Sequence, residues 1–206
     1  MNNSFEKEII NYEKSIDIYS YKSKRGKTPI MFTAVHTVEQ QKEDGIKHPE
    51  PFTSAICQYV GNKIDCSYLI KSIDNGIDSN SVIMDEFKEL LLKYIKENNI
   101  KLLIDVHGAS ISRDFDVEIG TLSNLTADLI TQNTLVDYLK EQGIENIDIN
   151  NKFTGGGITK YIFKNTDIDV IQLEINYRFR DIENLKECEK LCNALIDFSK
   201  KYANFN

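Results

Sequence analysis

The chain has 206 residues, 41% of them hydrophobic and 28% charged, with a formal net charge of −7. That length suits one domain, taken here as 1–206, with a sizeable core, while ten Tyr and ten Phe exclude global disorder, and three Pro and ten Gly exclude a collagen-like or linker-dominated chain. The acidic balance argues against nucleic acid as the main partner, because phosphate binding needs clustered Lys and Arg.

The first residues, MNNSFEKEIINYEKS, lack the basic-then-apolar pattern of a signal peptide. No apolar run approaches the roughly 18 residues that cross a bilayer, so a cytoplasmic protein with no membrane partner is expected. SIDIYS (15–20) and PIMFTAVH (29–36) read as strands. Lys22, Lys24, Arg25 and Lys27 between them read as a solvated hairpin turn. Residues 37–50 form a polar loop and 53–60 a short helix. NKIDCSYLI (62–70) is a strand, and 71–82, rich in Asp, Asn and Ser, a loop. Residues 84–99 form an amphipathic helix with Phe87, Leu90, Leu91, Tyr94 and Ile95 on one stripe.

IKLLIDVH (100–107) is apolar up to Asp105, as in a strand buried on both faces. Residues 108–122 look extended and irregular. A helix is expected from about Asn124 to Gln142, stopped by Gly143. ENIDI (145–149) is a short strand, FTGGGIT a glycine loop, DIDVIQLEI (167–175) a buried strand and 181–203 the last helix. Cys188 and Cys192 share a helix side with Leu185, Leu195 and Phe198, so they and the other two cysteines, Cys57 and Cys66, read as packed thiols rather than disulfides. The alternation predicts an α/β fold, a three-layer αβα sandwich around a mixed, mostly parallel sheet.

His36 and His107 each end an apolar strand, just before a polar or glycine-led turn. In an open α/β sheet ligands bind at the carboxyl ends of the parallel strands, so both imidazoles can enter one crevice. Alternation along DVIQLEI sets Ile171, Leu173 and Ile175 on one face and Val170, Gln172 and Glu174 on the other. A buried Glu174 needs a pair, a hydrogen bond or a metal. Two His and a carboxylate suit a catalytic zinc site. Glu39 (H-x-x-E from His36) and Glu50 are the candidate acid ligands, and Glu50 is preferred because it feeds a helix within an E-x-x-T run. His48 reads as a loop residue. Lys47 and Arg113 could bind a substrate carboxylate or a developing oxyanion, and Asp105 could orient His107.

Four runs, D-V-H-G-A (105–109), R-D-F-D-V-E-I-G-T (113–121), N-K-F-T-G-G-G-I-T (151–159) and I-Q-L-E-I-N-Y-R (171–178), resemble the N-formylglutamate amidohydrolase family, similar in fold to zinc carboxypeptidases. The resemblance spans about Ile30 to Arg180. It implies one Zn2+ held by His36, Glu50 and His107, Glu174 as general base, and Arg113 on a substrate carboxylate. Gly155, Gly156, Thr159 and Arg178 would be substrate-binding. The substrate would be a small carboxylate-bearing N-acyl amino acid such as N-formylglutamate. A metallo-carboxypeptidase or deacylase acting on peptides, or a non-catalytic binding module, are the rival readings. The sequence leaves the oligomeric state open.

Overall fold

The computed structural model describes residues 4–15, 19–42 and 45–205. A seven-stranded sheet runs through its centre. The chain builds it from β1 (Tyr21–Lys24), β2 (Ile30–Ala34), β5 (Ser67–Lys71), β6 (Leu102–Ala109), β7 (Val117–Gly120), β8 (Ile147–Ile149) and β9 (Asp169–Asn176). A two-stranded ribbon, β3 (Gln40–Lys42) and β4 (Gly45–Lys47), lies apart from it. The helices are α1 (Ser4–Glu13), α2 (Thr53–Lys63), α3 (Glu86–Glu97), α4 (Leu129–Glu141), α5 (Gly157–Asn165) and α6 (Leu185–Phe205).

Strand order is β1-β5-β2-β6-β9-β7-β8. The central four, β5, β2, β6 and β9, are parallel; β1 and β7 are antiparallel to their inner neighbours, and β8 is parallel to β7. The α/β, mostly parallel mixed sheet expected from the alternation is therefore present. The two faces divide as the period-2 pattern requires. Ile104, Val106, Ile171, Leu173 and Ile175 pack with residues of α1, α2, α4 and α6. Met31, Leu103 and Val170 pack with residues of α3 and α5. All four cysteines are buried and free, and no helix of the described residues is long and apolar enough to cross a membrane.

Several expectations need correction. Residues 16–18 of the expected first strand lie outside the described residues, and the strand that is seen starts at Tyr21. Lys22 and Lys24 stand on β1 rather than in a hairpin turn, because β1 pairs with β5 and not with β2. The 37–50 loop contains β3 and β4. The strand expected from residue 62 begins at Ser67, because α2 continues to Lys63. The helix expected from Asn124 begins at Leu129: Leu122, Ser123 and Asn124 are left-handed (φ 47, 58 and 69), and Asp128 caps the helix by accepting the Thr131 N–H. The glycine loop ends sooner than expected, since α5 starts at Gly157. The N-terminal segment forms α1, whose Phe5 ring meets Tyr59 of α2 edge-on, centroids 4.9 Å apart.

Candidate active site

The sheet face towards α3 and α5 is apolar near the strand starts and polar near their carboxyl ends. There Asp105 and His107 on β6 neighbour Gln172 and Glu174 on β9, and Glu118 on β7 stands opposite Glu174. Burying four acids and bases side by side is costly unless each has a partner. The partners are specific.

His36 follows β2 and reaches the same place. The Glu50 N–H donates to the His36 carbonyl at 2.7 Å, which sets Glu50 beside it. The E-x-x-T run does the rest: the Thr53 hydroxyl donates to the Glu50 carbonyl at 2.8 Å and starts α2. Glu50 Oε2 then accepts the Gly108 N–H at 2.8 Å, and Lys47 donates to Oε1 at 2.6 Å. His36, Glu50 and His107 are all buried, with their ligand atoms within 4.8 Å of one another. Glu39 is elsewhere, 3.7 Å from the exposed ring of His48, so the structure brings Glu50 rather than Glu39 into the cluster.

The ring nitrogens decide the chemistry. His36 Nε2 faces Asp78 Oδ1 at 2.9 Å, and His107 Nε2 faces Asp105 Oδ2 at 3.0 Å. A carboxylate only accepts, so a neutral imidazole that satisfies its outer carboxylate carries its proton on Nε2 and turns a bare Nδ1 to the centre. Their Nδ1 atoms face each other at 3.1 Å, and His36 Nδ1 lies 3.0 Å from Glu50 Oε1. Two lone pairs and a carboxylate meeting at one point require a cation between them. A proton can play that part. Burial opposes a positive His107, yet Asp105 and Glu50 hold it well above the usual imidazole value. Burial likewise opposes an ionised Glu50, yet His107 and His36 hold its carboxyl well below the usual range. The same three donor atoms lie close enough together to suit a divalent metal ion. Two imidazoles fixed by outer carboxylates plus one carboxylate ligand is a catalytic zinc donor set.

The cavity over this cluster has about 500 Å³ and is also bordered by Glu174, Gln172, Asn80, Arg113, Lys152 and Phe153. Glu174 Oε1 accepts from Gln172 Nε2 at 2.7 Å, and the Gln172 side-chain oxygen accepts the Gly156 N–H. Burial pushes the Glu174 carboxyl up, Glu50 and Asp105 add to this and His107 opposes it. Arg113 is exposed, its guanidinium 5.2 Å from the Phe153 ring centroid. Gly155 and Gly156 border the cavity. Thr159 and Arg178 do not: Thr159 is fully buried within α5, and Arg178 pairs with Asp116 and covers the Phe179 ring. Packing in one case and an ion pair in the other turn these two side chains away from the cavity wall.

Sequence reading missed the outer frame. Asp78 belongs to the 71–82 loop. Two lysines flank that loop: buried Lys71 donates to the Ile77 carbonyl and buried Lys88 to the Val82 carbonyl. Arg180 is equally hidden, donating to the carbonyls of Ile175, Pro51 and Ala109. Its guanidinium fills the space beside Gly108, where a Cβ would stand 2.4 Å from Arg180 Cζ, so a side chain after His107 would displace the guanidinium from the three carbonyls it holds. Glu118 anchors the cavity wall, one oxygen accepting the N–H groups of Asn151, Lys152 and Phe153 at 2.8, 2.6 and 2.8 Å. Glu118→Ala leaves these donors unpaired and should cost about 2–3 kcal/mol, read as a lower urea midpoint at unchanged m-value.

With the geometry in place, comparison with known proteins bears on the fold. No protein-family model matches the sequence and no curated protein matches it. Solved structures do. N-formylglutamate amidohydrolase from Ralstonia eutropha is similar over 91% of this chain and 99% of that chain, with TM-score 0.72 and 10% identity. A bacteriophage poly-gamma-glutamate hydrolase is similar over 93% and 94%, TM-score 0.59, 13% identity. A zinc aminopeptidase of Bacillus subtilis is similar over 85% of this chain and 48% of that one, TM-score 0.53, 10% identity. At these identities the shared feature is the fold.

Proposed function

We propose that this chain is a metal-dependent amidohydrolase, with zinc held by His36, Glu50 and His107, that cleaves the amide C–N bond of a small carboxylate-bearing N-acyl amino acid of the N-formylglutamate kind. The observation that supports it is the convergence of the two Nδ1 atoms and the Glu50 carboxylate, with both Nε2 atoms facing the carboxylates of Asp78 and Asp105. The likeness in fold to proteins named as an amidohydrolase, a poly-gamma-glutamate hydrolase and a zinc aminopeptidase agrees with it.

When bound, the ion supplies an acidified water and an electrophile for the amide carbonyl. The chain's residues do the rest. Arg113, at the rim over Phe153, binds the carboxylate of the amino-acid half, and its planar fork suits that group. The Gly155–Gly156 segment, tied down by Gln172, shapes the wall the substrate lies on. Glu174 takes a proton from the attacking water and returns it to the amide nitrogen. The water oxygen bonds the carbonyl carbon, the C–N bond breaks, and a carboxylic acid and a free amine leave. Lys47 and the Gly108 N–H hold the Glu50 carboxylate in place.

The test is a panel of N-formyl-, N-acetyl- and longer N-acyl amino acids set against C-terminally free peptides, read by amine release. Zinc-loaded protein is expected to release amine from N-acyl amino acids. Chelation should reduce the rate by at least about 100-fold, and added zinc should restore it. Release from peptides alone would replace this substrate with that of a carboxypeptidase. Zinc-loaded protein that hydrolyses nothing in the panel would overturn the proposal.

A further inference from the structure

A second cavity of about 560 Å³ lies beside the first. Asn80 borders both, and the consecutive Gly156 and Gly157 border one each, so the two are neighbours on either side of the contact between Asn80 and the start of α5. Their chemistry differs. The first contains Glu50 and Glu174. The second has no acidic residue on its wall, in a chain of net charge −7.

Its wall is made by Val82, Ile83 and Met84 before α3, and by Lys160, Tyr161 and Lys164 of α5. Ile83 is 93% exposed and Met84 59%. The segment that holds them is tied down on both sides: Lys88 donates to the Val82 carbonyl, and Asp85 caps α3 by accepting the Lys88 N–H at 3.0 Å. Ile83 and Met84 thus present apolar side chains at the wall of this cavity. Lys160 and Lys164 are one turn apart on the same helix face, both exposed and without an ion pair among the described residues. Helix α5 contains no acid to offset them, and like charges at that spacing disfavour a helix. An apolar wall with two unpaired ammonium groups complements an apolar chain that ends in an anion.

We propose that this second cavity is a distal subsite for the acyl half of the substrate, an apolar chain ending in a carboxylate that Lys160 and Lys164 hold. The proposal rests on the amidohydrolase reading. The scissile amide sits at the His36–Glu50–His107 cluster, the amino-acid carboxylate faces Arg113, and the acyl chain leaves past Asn80. Along the α5 axis Lys160 and Lys164 stand about 5 Å and about 11 Å from Gly157, so an acyl chain that reaches them must be several carbons long, and an eight-carbon diacid serves as the probe.

The test compares three probes that share one amino-acid half: N-acetyl-, N-octanoyl- and N-suberoyl-glutamate. Binding is measured by calorimetry on zinc-loaded Glu174→Gln protein, so that no turnover intervenes. The suberoyl probe is expected to bind at least about ten-fold tighter than the acetyl probe and about three- to five-fold tighter than the octanoyl probe. In Glu174→Gln/Lys160→Ala/Lys164→Ala protein its affinity should fall to that of the octanoyl probe, with the melting temperature unchanged. Equal binding of suberoyl and acetyl probes overturns the subsite, as does a suberoyl preference that survives the lysine substitutions. If wild type still cleaves N-acetylglutamate in either case, the amidohydrolase reading stands and the subsite alone fails. If no probe binds and wild type cleaves none, both fall.

Discussion

Glu174→Gln is expected to lower kcat on a cleaved N-acyl amino acid by about three to four orders of magnitude, while about one zinc per chain stays bound. The reason lies in what the substitution keeps. Glutamine has nearly the same shape, and its side-chain oxygen can still accept the Gln172 amide, 2.7 Å from Glu174 Oε1 in the wild-type chain. Gln172 can therefore go on holding the Gly156 N–H, and the wall of the cavity stays put. Glu174 lies outside the His36–Glu50–His107 cluster, so metal affinity should change by less than about three-fold. What is lost is the basic oxygen that shuttles the proton. KM should move little against kcat, because no substrate-facing charge changes except at the reacting centre. Turnover within ten-fold of wild type at full metal content would remove Glu174 from the mechanism and point to another base on the cavity wall.

The parts of this site legible in sequence are those governed by a period or by chain-local bonding. Strand alternation forces Asp105 and His107 to one side of β6, and Gln172 and Glu174 to one side of β9. Parallel neighbours then align these pairs without further information. The E-x-x-T run worked because its bonds are local: Thr53 caps with the carbonyl of Glu50, three residues back. The position of Glu50 beside His36 needed only one backbone bond across a fourteen-residue loop.

What stayed hidden depends on contacts far apart in sequence. That β5 inserts between β1 and β2 leaves no trace in the turn that joins them, so the lysines there looked like a hairpin. Asp78 reads as one polar residue in a polar loop. Only the adjacency of β5 and β2 puts that loop over His36. Helix α5 was obscured by its own first residue. Glycine disfavours helix interiors, yet at position 157 a Cβ would stand 2.0 Å from the Asn80 carbonyl oxygen. The tertiary contact demands what local propensity argues against. Asn80 also accepts the Ile158 N–H at 3.0 Å and serves as the missing cap. Lys71 and Lys88 were unremarkable in sequence, because nothing local says that an ammonium group will be buried to hold a carbonyl.

His36→Ala/His107→Ala should remove the metal: about one zinc per chain in wild type by elemental analysis, and less than about one tenth of that in the double variant. Glu50 alone is then the only ligand left of the three, and a single carboxylate does not hold zinc at micromolar concentration. The same change removes the imidazoles that face Asp78 and Asp105 and takes from buried Asp105 the ring that its Oδ2 faces, so the variant is expected to be less stable as well. Asp78→Asn separates the two effects. It keeps all three ligands and shape, but replaces the carboxylate facing His36 Nε2 by an amide, weakening the preference that leaves Nδ1 free. Zinc affinity should fall by about 10- to 100-fold, with the fold intact by circular dichroism. Zinc should also raise the wild-type melting temperature, by linkage, and raise that of Asp78→Asn less at the same free zinc concentration. Full zinc content in the double-histidine variant would mean that the ion sits elsewhere. An unchanged affinity in Asp78→Asn would mean that the tautomer of His36 is not set from Asp78.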